Sequence, residues 1–185
     1  YTSPFELLIA VMLSAQATDI SVNKVTPTLF SCANTPQTLL DLGELKLRTY
    51  IQSIGLFRSK AKHIILTCTR LITVHDGQVP ETRSALQALP GVGRKTANVV
   101  LNEAFGEPTL AVDTHVARVS TRLKLAKAKT PDQIEQQLYR CIPKAYLQHA
   151  HHWLILHGRY ICRARTPLCA QCPIEQWCPY PNKNI

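Results

Sequence analysis

The chain has 185 residues, 45% of them hydrophobic, and its 21 Lys and Arg residues outnumber 12 Asp and Glu residues. This composition excludes a disordered chain, and the length allows one large or two small domains. The net charge of +9 favours a polyanionic partner, nucleic acid above all. No run of about 18 apolar residues is present, so the sequence predicts a soluble protein without a membrane span.

Apolar residues recur at helical spacing along the chain, and no alternating pattern typical of strands occurs, which predicts an all-α fold. Gly106-Glu107-Pro108 interrupts the pattern and predicts two domains, 1–107 and 108–185. Helices are predicted after Pro4, after a cap at Thr18 or Asp19, over residues 36–42, up to about residue 53, over 57–74, 81–89 and 94–105, after a cap at Asp113, and over 131–140 and 146–160.

A glycine-rich hairpin, Leu89-Pro90-Gly91-Val92-Gly93, directly precedes the helix that carries Arg94 and Lys95 in its first turn. Gly91 and Gly93 permit backbone angles closed to other residues and let a bulky partner approach the main chain. The start of the helix offers unpaired N–H groups and a partial positive charge. The segment therefore predicts a phosphate-binding site, and its glycine spacing excludes a Walker loop.

Two side chains near this helix suit catalysis. The helix dipole and the charge of Arg94 favour a neutral amine on Lys95, which is a nucleophile toward a carbonyl or the anomeric carbon of a nucleoside. Asp113, eighteen residues downstream, has a carboxylate suited to proton transfer or to a developing positive charge on a sugar. From the residues alone the simpler interpretations are favoured: a phosphate contact for Lys95, a helix cap for Asp113 and a surface loop position for Gln16.

Four of the seven cysteines crowd into the end of the chain as Cys162-x6-Cys169-x2-Cys172-x5-Cys178. Four thiolates hold zinc or an iron–sulfur cluster, and ligands spread along one winding loop favour the cluster. Because four protein ligands leave no open coordination position, the site is predicted to be a structural metal site rather than a catalytic centre. The absence of a disulfide pattern indicates a reducing compartment.

Three further features carry weaker signals. Cys68 lies within an apolar helical stripe and is predicted to be a small buried hydrophobe. Arg163 and Arg165, between the first two clustered cysteines, either contact phosphates or are simply solvated. The helix over 146–160 carries four histidines that do not share one face, so zinc binding there is disfavoured.

Six segments occur in an order that is highly specific in combination: the hairpin 89–93, Gly93-Arg94-Lys95-Thr96-Ala97-Asn98, Val112-Asp113-Thr114-His115, the cysteine spacing, Ser14-Ala15-Gln16-Ala17-Thr18 and residues 151–160. Together they resemble the endonuclease III family of helix-hairpin-helix DNA glycosylases, over nearly the whole chain. That family usually has a further N-terminal helical segment before the position of Tyr1. A first residue of Tyr rather than Met therefore predicts a cropped or processed chain.

The resemblance implies two all-helical domains with duplex DNA bound in a cleft between them. The first contains the helix-hairpin-helix at about 81–105, and the second holds a [4Fe-4S] cluster on the four clustered cysteines, Cys162, Cys169, Cys172 and Cys178. The resemblance implies that Lys95 is the nucleophile, which attacks C1′ of an oxidised pyrimidine nucleotide such as thymine glycol. It implies that Asp113 is the carboxylate that assists departure of the base. Adenine-specific relatives that only hydrolyse the bond lack this lysine, so Lys95 implies a bifunctional glycosylase and lyase.

The resemblance also implies how DNA is held. A base inside a stacked duplex is inaccessible, so the damaged nucleotide must be flipped out. Gln16 is expected to fill the gap, Leu56 to wedge into the stack, and the remaining contacts to come from Gly91, Val92, Gly93, Arg94 and His115. A monomer acting at the nucleoid in a prokaryotic cytoplasm is implied.

Two alternatives stay open at this point. The same fold serves mismatch glycosylases that remove uracil or thymine without a lyase step, and base selection depends on the shape of a pocket that sequence does not give. A non-catalytic DNA-binding or redox-sensing module would use the hairpin and the cluster only for contact.

Overall fold

The computed structural model describes all 185 residues and contains ten α-helices, two short 3-10 helices and no strand, which confirms the predicted all-α fold. The chain divides into two compact units, Tyr1–Phe105 and Gly106–Ile185. None of the helices combines the length and the apolar content that crossing a membrane requires.

Unit 1 is formed by seven helices: α1 (Pro4–Ser14), α2 (Asp19–Cys32), α3 (Pro36–Leu42), α4 (Glu44–Ile51), α5 (Phe57–His75), α6 (Arg83–Gln87) and α7 (Arg94–Phe105). Hydroxyl side chains set most of the helix starts, because each accepts a hydrogen bond from the amide three residues on. Thr18 caps α2 in this way, Thr35 caps α3 and Thr82 caps α6. The cap of α2 is therefore Thr18 rather than Asp19.

The core of unit 1 surrounds α1, which packs against α2, α5 and α7. A helix covered by neighbours on several sides is apolar around most of its circumference, and α1 buries Phe5, Leu7, Leu8, Ile9, Met12 and Leu13. Cys68 of α5 is fully buried in this core, and burial raises the pKa of its thiol to about 12. The prediction that Cys68 serves as a buried hydrophobe is confirmed.

Unit 2 contains α8 (Thr114–Arg122), α9 (Pro131–Cys141), α10 (Lys144–Tyr160) and the 3-10 helices Cys169–Gln171 and Glu175–Trp177. Helix α8 packs on α10, and a Cβ atom added at Gly158 would lie 3.0 Å from Val119 Cγ2, so glycine is what allows this close approach. The core consists of Leu110, Val112, Val116, Ala126, Ile134, Leu138, Leu147 and Ala150.

The end of the chain has almost no core. Beyond Gly158 the only buried residue is Pro167, whereas the helices before it bury their apolar faces. The segment after α10 is instead held by hydrogen bonds to its own backbone and to α8. A segment with so little buried apolar surface needs another source of stability.

Candidate functional site

The hairpin lies between α6 and α7 and is fixed by two hydrogen bonds. The Val92 amide donates to the Leu89 carbonyl at 3.1 Å, which closes the turn. The Thr67 hydroxyl, on α5, donates to the Pro90 carbonyl at 2.8 Å, which attaches the turn to the rest of unit 1. Val92 is buried, so its side chain is not available for contact with a partner.

The two glycines of the hairpin have different roles. Gly91 has φ +79°, and a Cβ atom there would lie 2.8 Å from His63 Cβ, so both the backbone angle and the space require glycine. Gly93 lies outside the left-handed region and has no heavy atom within 4 Å of an added Cβ. Of the two properties that glycine permits, only Gly91 uses the unusual backbone angle, and Gly93 leaves open space beside the main chain.

Exchanging each glycine for alanine tests this difference. Gly91→Ala is expected to lower the free energy of unfolding by about 1–2 kcal/mol or more, because an L-residue is strained at positive φ and clashes with His63. Gly93→Ala is expected to change it by less than about 0.5 kcal/mol, as open surface positions do. Urea unfolding of both variants measures the difference, and equal losses would contradict the assignment.

Lys95 is the second residue of α7 and its side chain is exposed. The register of the helix explains this exposure, because Ala97, Val100 and Leu101 turn into the core of unit 1. Arg94, beside it, is partly exposed. The first turn of α7 therefore presents an amine to solvent immediately after the hairpin.

Gln16 and Leu56 lie in two loops that meet the hairpin at one pocket. Both residues hold left-handed backbone conformations, with φ +54° for Gln16 and +60° for Leu56, and both side chains are exposed. The pocket they line also contacts Gly91. Non-glycine residues at positive φ are uncommon and cluster at functional sites. The structure therefore brings three of the predicted DNA-contacting residues together within unit 1.

Two basic residues that line this pocket, Lys60 and His63, were not among the predicted site residues. Lys60 is only 8% exposed, and its ammonium donates to the Leu13 carbonyl at 2.8 Å. Burial lowers the pKa of this ammonium. One signal was available: Lys60 lies in helical phase with the buried positions Ile64, Thr67 and Leu71 of α5, where an exposed lysine is not expected.

Asp113, in unit 2, caps α8, and its Oδ1 accepts a hydrogen bond from the Val116 amide at 2.8 Å. Its other oxygen, Oδ2, lies 3.2 Å from Nδ1 of His115. The carboxylate is partly exposed, so it remains accessible while both oxygens are oriented. Asp113 is therefore a helix cap whose carboxylate is also accessible from solvent.

All four clustered cysteines line one pocket of unit 2, which is bounded by the 3-10 helices and by α8 and α10. Burial, together with the neighbouring thiols, raises the pKa of Cys172. The three other cysteines of the chain lie outside this pocket, and no cysteine forms a disulfide. No three histidine, cysteine or carboxylate side chains of the chain converge on a single-ion site.

Cationic side chains surround the cysteine pocket, and the sequence pattern did not identify them. Arg122 donates to Cys162 Sγ at 3.3 Å and to the carbonyls of Arg163 and Ala164 at 2.7 and 2.8 Å, and its guanidinium stacks on the Tyr180 ring. Lys183 pairs with Glu175 at 2.5 Å, and this hydrogen bond raises the pKa of Lys183. The Lys183 charge is balanced by Glu175, whereas the charge of Arg122 offsets part of the negative charge that four thiolates would bring into the pocket.

His157 lines this pocket, and three arginines lie on α8 and on the cysteine loop beside it. Arg118 donates to the carbonyls of Cys162 and Gly158, at 3.1 and 2.7 Å, and so joins α8 to the end of α10. His157 Nε2 lies 3.8 Å from Cys172 Sγ, and burial lowers the pKa of this imidazole. Arg163 and Arg165 remain exposed on the loop between the first two cysteines.

Comparison with known proteins places the chain among DNA repair proteins. The family model "HhH-GPD superfamily base excision DNA repair protein" matches residues 9–144. The chain is 58% identical to endonuclease III of Escherichia coli (strain K12) over 99% of this chain and 87% of the relative. It is 60% identical to endonuclease III of Haemophilus influenzae over the same shares. A solved trapped endonuclease III–DNA covalent intermediate superposes with a TM-score of 0.92 at 48% identity, covering 97% of this chain and 85% of that one.

Proposed function

Because the chain belongs to the HhH-GPD superfamily of base excision DNA repair proteins, and within it to the endonuclease III family, we propose that it removes oxidised pyrimidines from DNA and then cleaves the strand at the abasic site. That it is a DNA glycosylase of base excision repair, with DNA as its partner, follows from the family. The exposed amine of Lys95 directly after the hairpin is the observation that carries the finer proposal.

Lys95 is the nucleophile in this proposal. Its unprotonated Nζ bonds to C1′ of the flipped nucleotide as the bond from C1′ to the base breaks, and the base leaves with the electron pair and takes up a proton. Opening of the sugar ring converts the adduct into an imine. The imine acidifies the C2′ proton. Loss of this proton then expels the 3′ phosphate. Water then hydrolyses the imine and restores Lys95. The relative trapped as a covalent DNA intermediate supports this course.

Asp113 supplies the carboxylate. A negative charge favours the positive character that the sugar develops as the base departs, and a carboxylate can also accept a proton during elimination. The helix cap and the contact with His115 hold this charge in one orientation. Because the cap uses Oδ1, the Asp113 side chain serves stability and chemistry together.

Replacement of Asp113 by asparagine separates these two contributions. Asparagine caps helices as well as aspartate does, so the melting temperature is expected to stay near that of the wild type. The glycosylase rate is expected to fall by about 10²–10⁴-fold, because the negative charge is lost. Single-turnover assays measure the glycosylase rate of Asp113→Asn, and thermal unfolding measures its melting temperature. Asp113→Ala is the comparison variant, because it loses the helix cap as well as the charge. An unchanged rate would remove Asp113 from the mechanism.

The four cysteines of unit 2, Cys162, Cys169, Cys172 and Cys178, are proposed to hold a [4Fe-4S] cluster. Four soft thiol donors that line one pocket suit such a cluster, and nearby cations suit its negative charge. When bound, the cluster supplies a rigid link among its four ligands. The protein's own contribution is to hold the thiols as a set and to shield them with Arg122 and His157. Unit 2 is then the cluster domain, and unit 1 the helical domain that carries the hairpin.

A panel of duplexes, each with one candidate lesion, tests the proposed substrate. We expect release of thymine glycol and related oxidised pyrimidines, followed by strand cleavage, under single-turnover conditions. Release of uracil or thymine from mismatches without cleavage would favour a monofunctional mismatch glycosylase. Binding to every duplex without base release would favour the non-catalytic module. Seven unpaired thiols and bacterial relatives fit action in a reducing bacterial cytoplasm.

A further inference from the structure

The two loops that carry Gln16 and Leu56 are in contact with each other. Gln16 lies two residues beyond the end of α1, and Leu56 directly precedes α5. A Cβ atom added at Gly55 would lie 3.8 Å from the Gln16 carbonyl oxygen, so the two backbones approach closely. The relative placement of these two exposed side chains therefore depends on how α1 is held against α5.

Lys60 joins the two loops through two hydrogen bonds. Its amide donates to the Leu56 carbonyl at 3.0 Å, closing the first turn of α5. Its ammonium donates to the Leu13 carbonyl at 2.8 Å, in the last turn of α1. One residue therefore connects the position before α5 with the helix end that precedes Gln16, across 47 residues of sequence.

Placing the ammonium of Lys60 in this buried position has a free-energy cost. Burying an ammonium removes its hydration, and a single carbonyl does not replace it. A pKa lowered by burial means that the charge of Lys60 costs folding free energy at neutral pH. Proteins retain such costs at functional sites. Lys60 pays this cost while it orients the two loops at the pocket that Gln16 and Leu56 line. We therefore look for a functional reason for its burial.

We infer that Lys60 is a positioning residue for base extrusion: its ammonium fixes the end of α1 against α5, so that Gln16 and Leu56 enter the duplex together. The inference rests on the proposed function, since it takes these two side chains to be the ones that enter the gap and the stack. Lys60 touches no reacting atom in this scheme and acts only through the loops.

The test compares Lys60→Met with Lys62→Met, since Lys62 is an exposed lysine of the same helix. Two substrates are used: a duplex with one thymine glycol, and a single-stranded oligonucleotide with one abasic site, where no base pair has to open. Lys60→Met is expected to lower the single-turnover rate on the duplex by about tenfold to a hundredfold, as the loss of a hydrogen bond from a charged donor does. Cleavage of the single strand is expected to stay within about twofold, because the chemistry itself is unaffected.

A double-mutant cycle tests whether Lys60 acts through the loop. In a Gln16→Ala background, the further loss caused by Lys60→Met is expected to be clearly smaller than in the wild type. Lys60→Arg, which keeps a cationic donor, is expected to recover part of the duplex rate. Equal losses on both substrates, additive losses in the cycle, or an effect no larger than that of Lys62→Met would each overturn the inference.

Loss of the proposed wedge roles and loss of the proposed role of Lys60 give different experimental results. If Gln16→Ala and Leu56→Ala leave the duplex rate unchanged, the proposed wedge roles are wrong. If those variants lose activity on the duplex and Lys60→Met does not, only the role of Lys60 is wrong. Fluorescence of 2-aminopurine placed next to the lesion reports extrusion directly and is expected to fall in Lys60→Met.

Discussion

Lys95→Gln is expected to abolish the covalent protein–DNA adduct that borohydride traps on a duplex with an abasic site. Glutamine is polar and only one atom shorter than lysine, but it has no nucleophilic amine. The imine therefore cannot form, and the elimination that depends on it cannot occur. The cleavage rate is expected to fall by at least about a thousandfold, as when other covalent nucleophiles are removed. Denaturing electrophoresis after reduction gives both readouts.

Arg94→Gln is the matched comparison, because Arg94 precedes Lys95 in the same turn and carries the same charge. It is expected to weaken DNA binding but to form the adduct at saturating protein concentration. An adduct that persists in Lys95→Gln would place the nucleophile elsewhere and overturn the proposed mechanism.

Cys172→Ser is expected to remove the proposed iron–sulfur centre. Wild-type protein should contain about four irons and four sulfides per chain and absorb broadly near about 400 nm, and the variant should lose both signals. The segment after α10 buries almost no residue, so it should become sensitive to trypsin at Arg163 and Arg165. The helices have their own cores, and their far-ultraviolet circular dichroism should persist.

Cys32→Ser serves as the control, since Cys32 is exposed on α2 and lies outside the cysteine pocket. It is expected to keep the iron and the protease resistance of the wild type. One zinc and no iron in the wild-type chain would show that the four thiols hold a single ion instead of a cluster.

Much of the fold was predictable because its boundaries are local. Thr35-Pro36 starts α3 and Gly43 ends it, and the structure has that helix at the predicted residues. The short helix α6 spans less than the predicted 81–89, because Thr82 caps its start and the turn into the hairpin ends it. Hydroxyl caps and turn residues act within a few positions, which is the range that sequence patterns describe.

The features that were not predicted depend on tertiary contacts. Lys60 reaches a carbonyl 47 residues away, and Arg122 reaches a cysteine 40 residues away, so neither contact has a local signature. The left-handed conformations of Gln16 and Leu56 are equally invisible, because side chains of these types rarely adopt them. The roles proposed for Lys95 and Asp113 came from the family resemblance, since residue chemistry alone favoured simpler ones.

The contacts of Arg122 bear on how the cysteine loop closes. Arg122 binds the carbonyls of Arg163 and Ala164, which lie between Cys162 and Cys169. Closing a loop costs conformational entropy, and a loop that a guanidinium already restrains has lost part of that entropy in the folded chain. If the four thiols hold the proposed cluster, its ligation has less chain disorder to overcome, and more of the binding free energy contributes to affinity for the cluster.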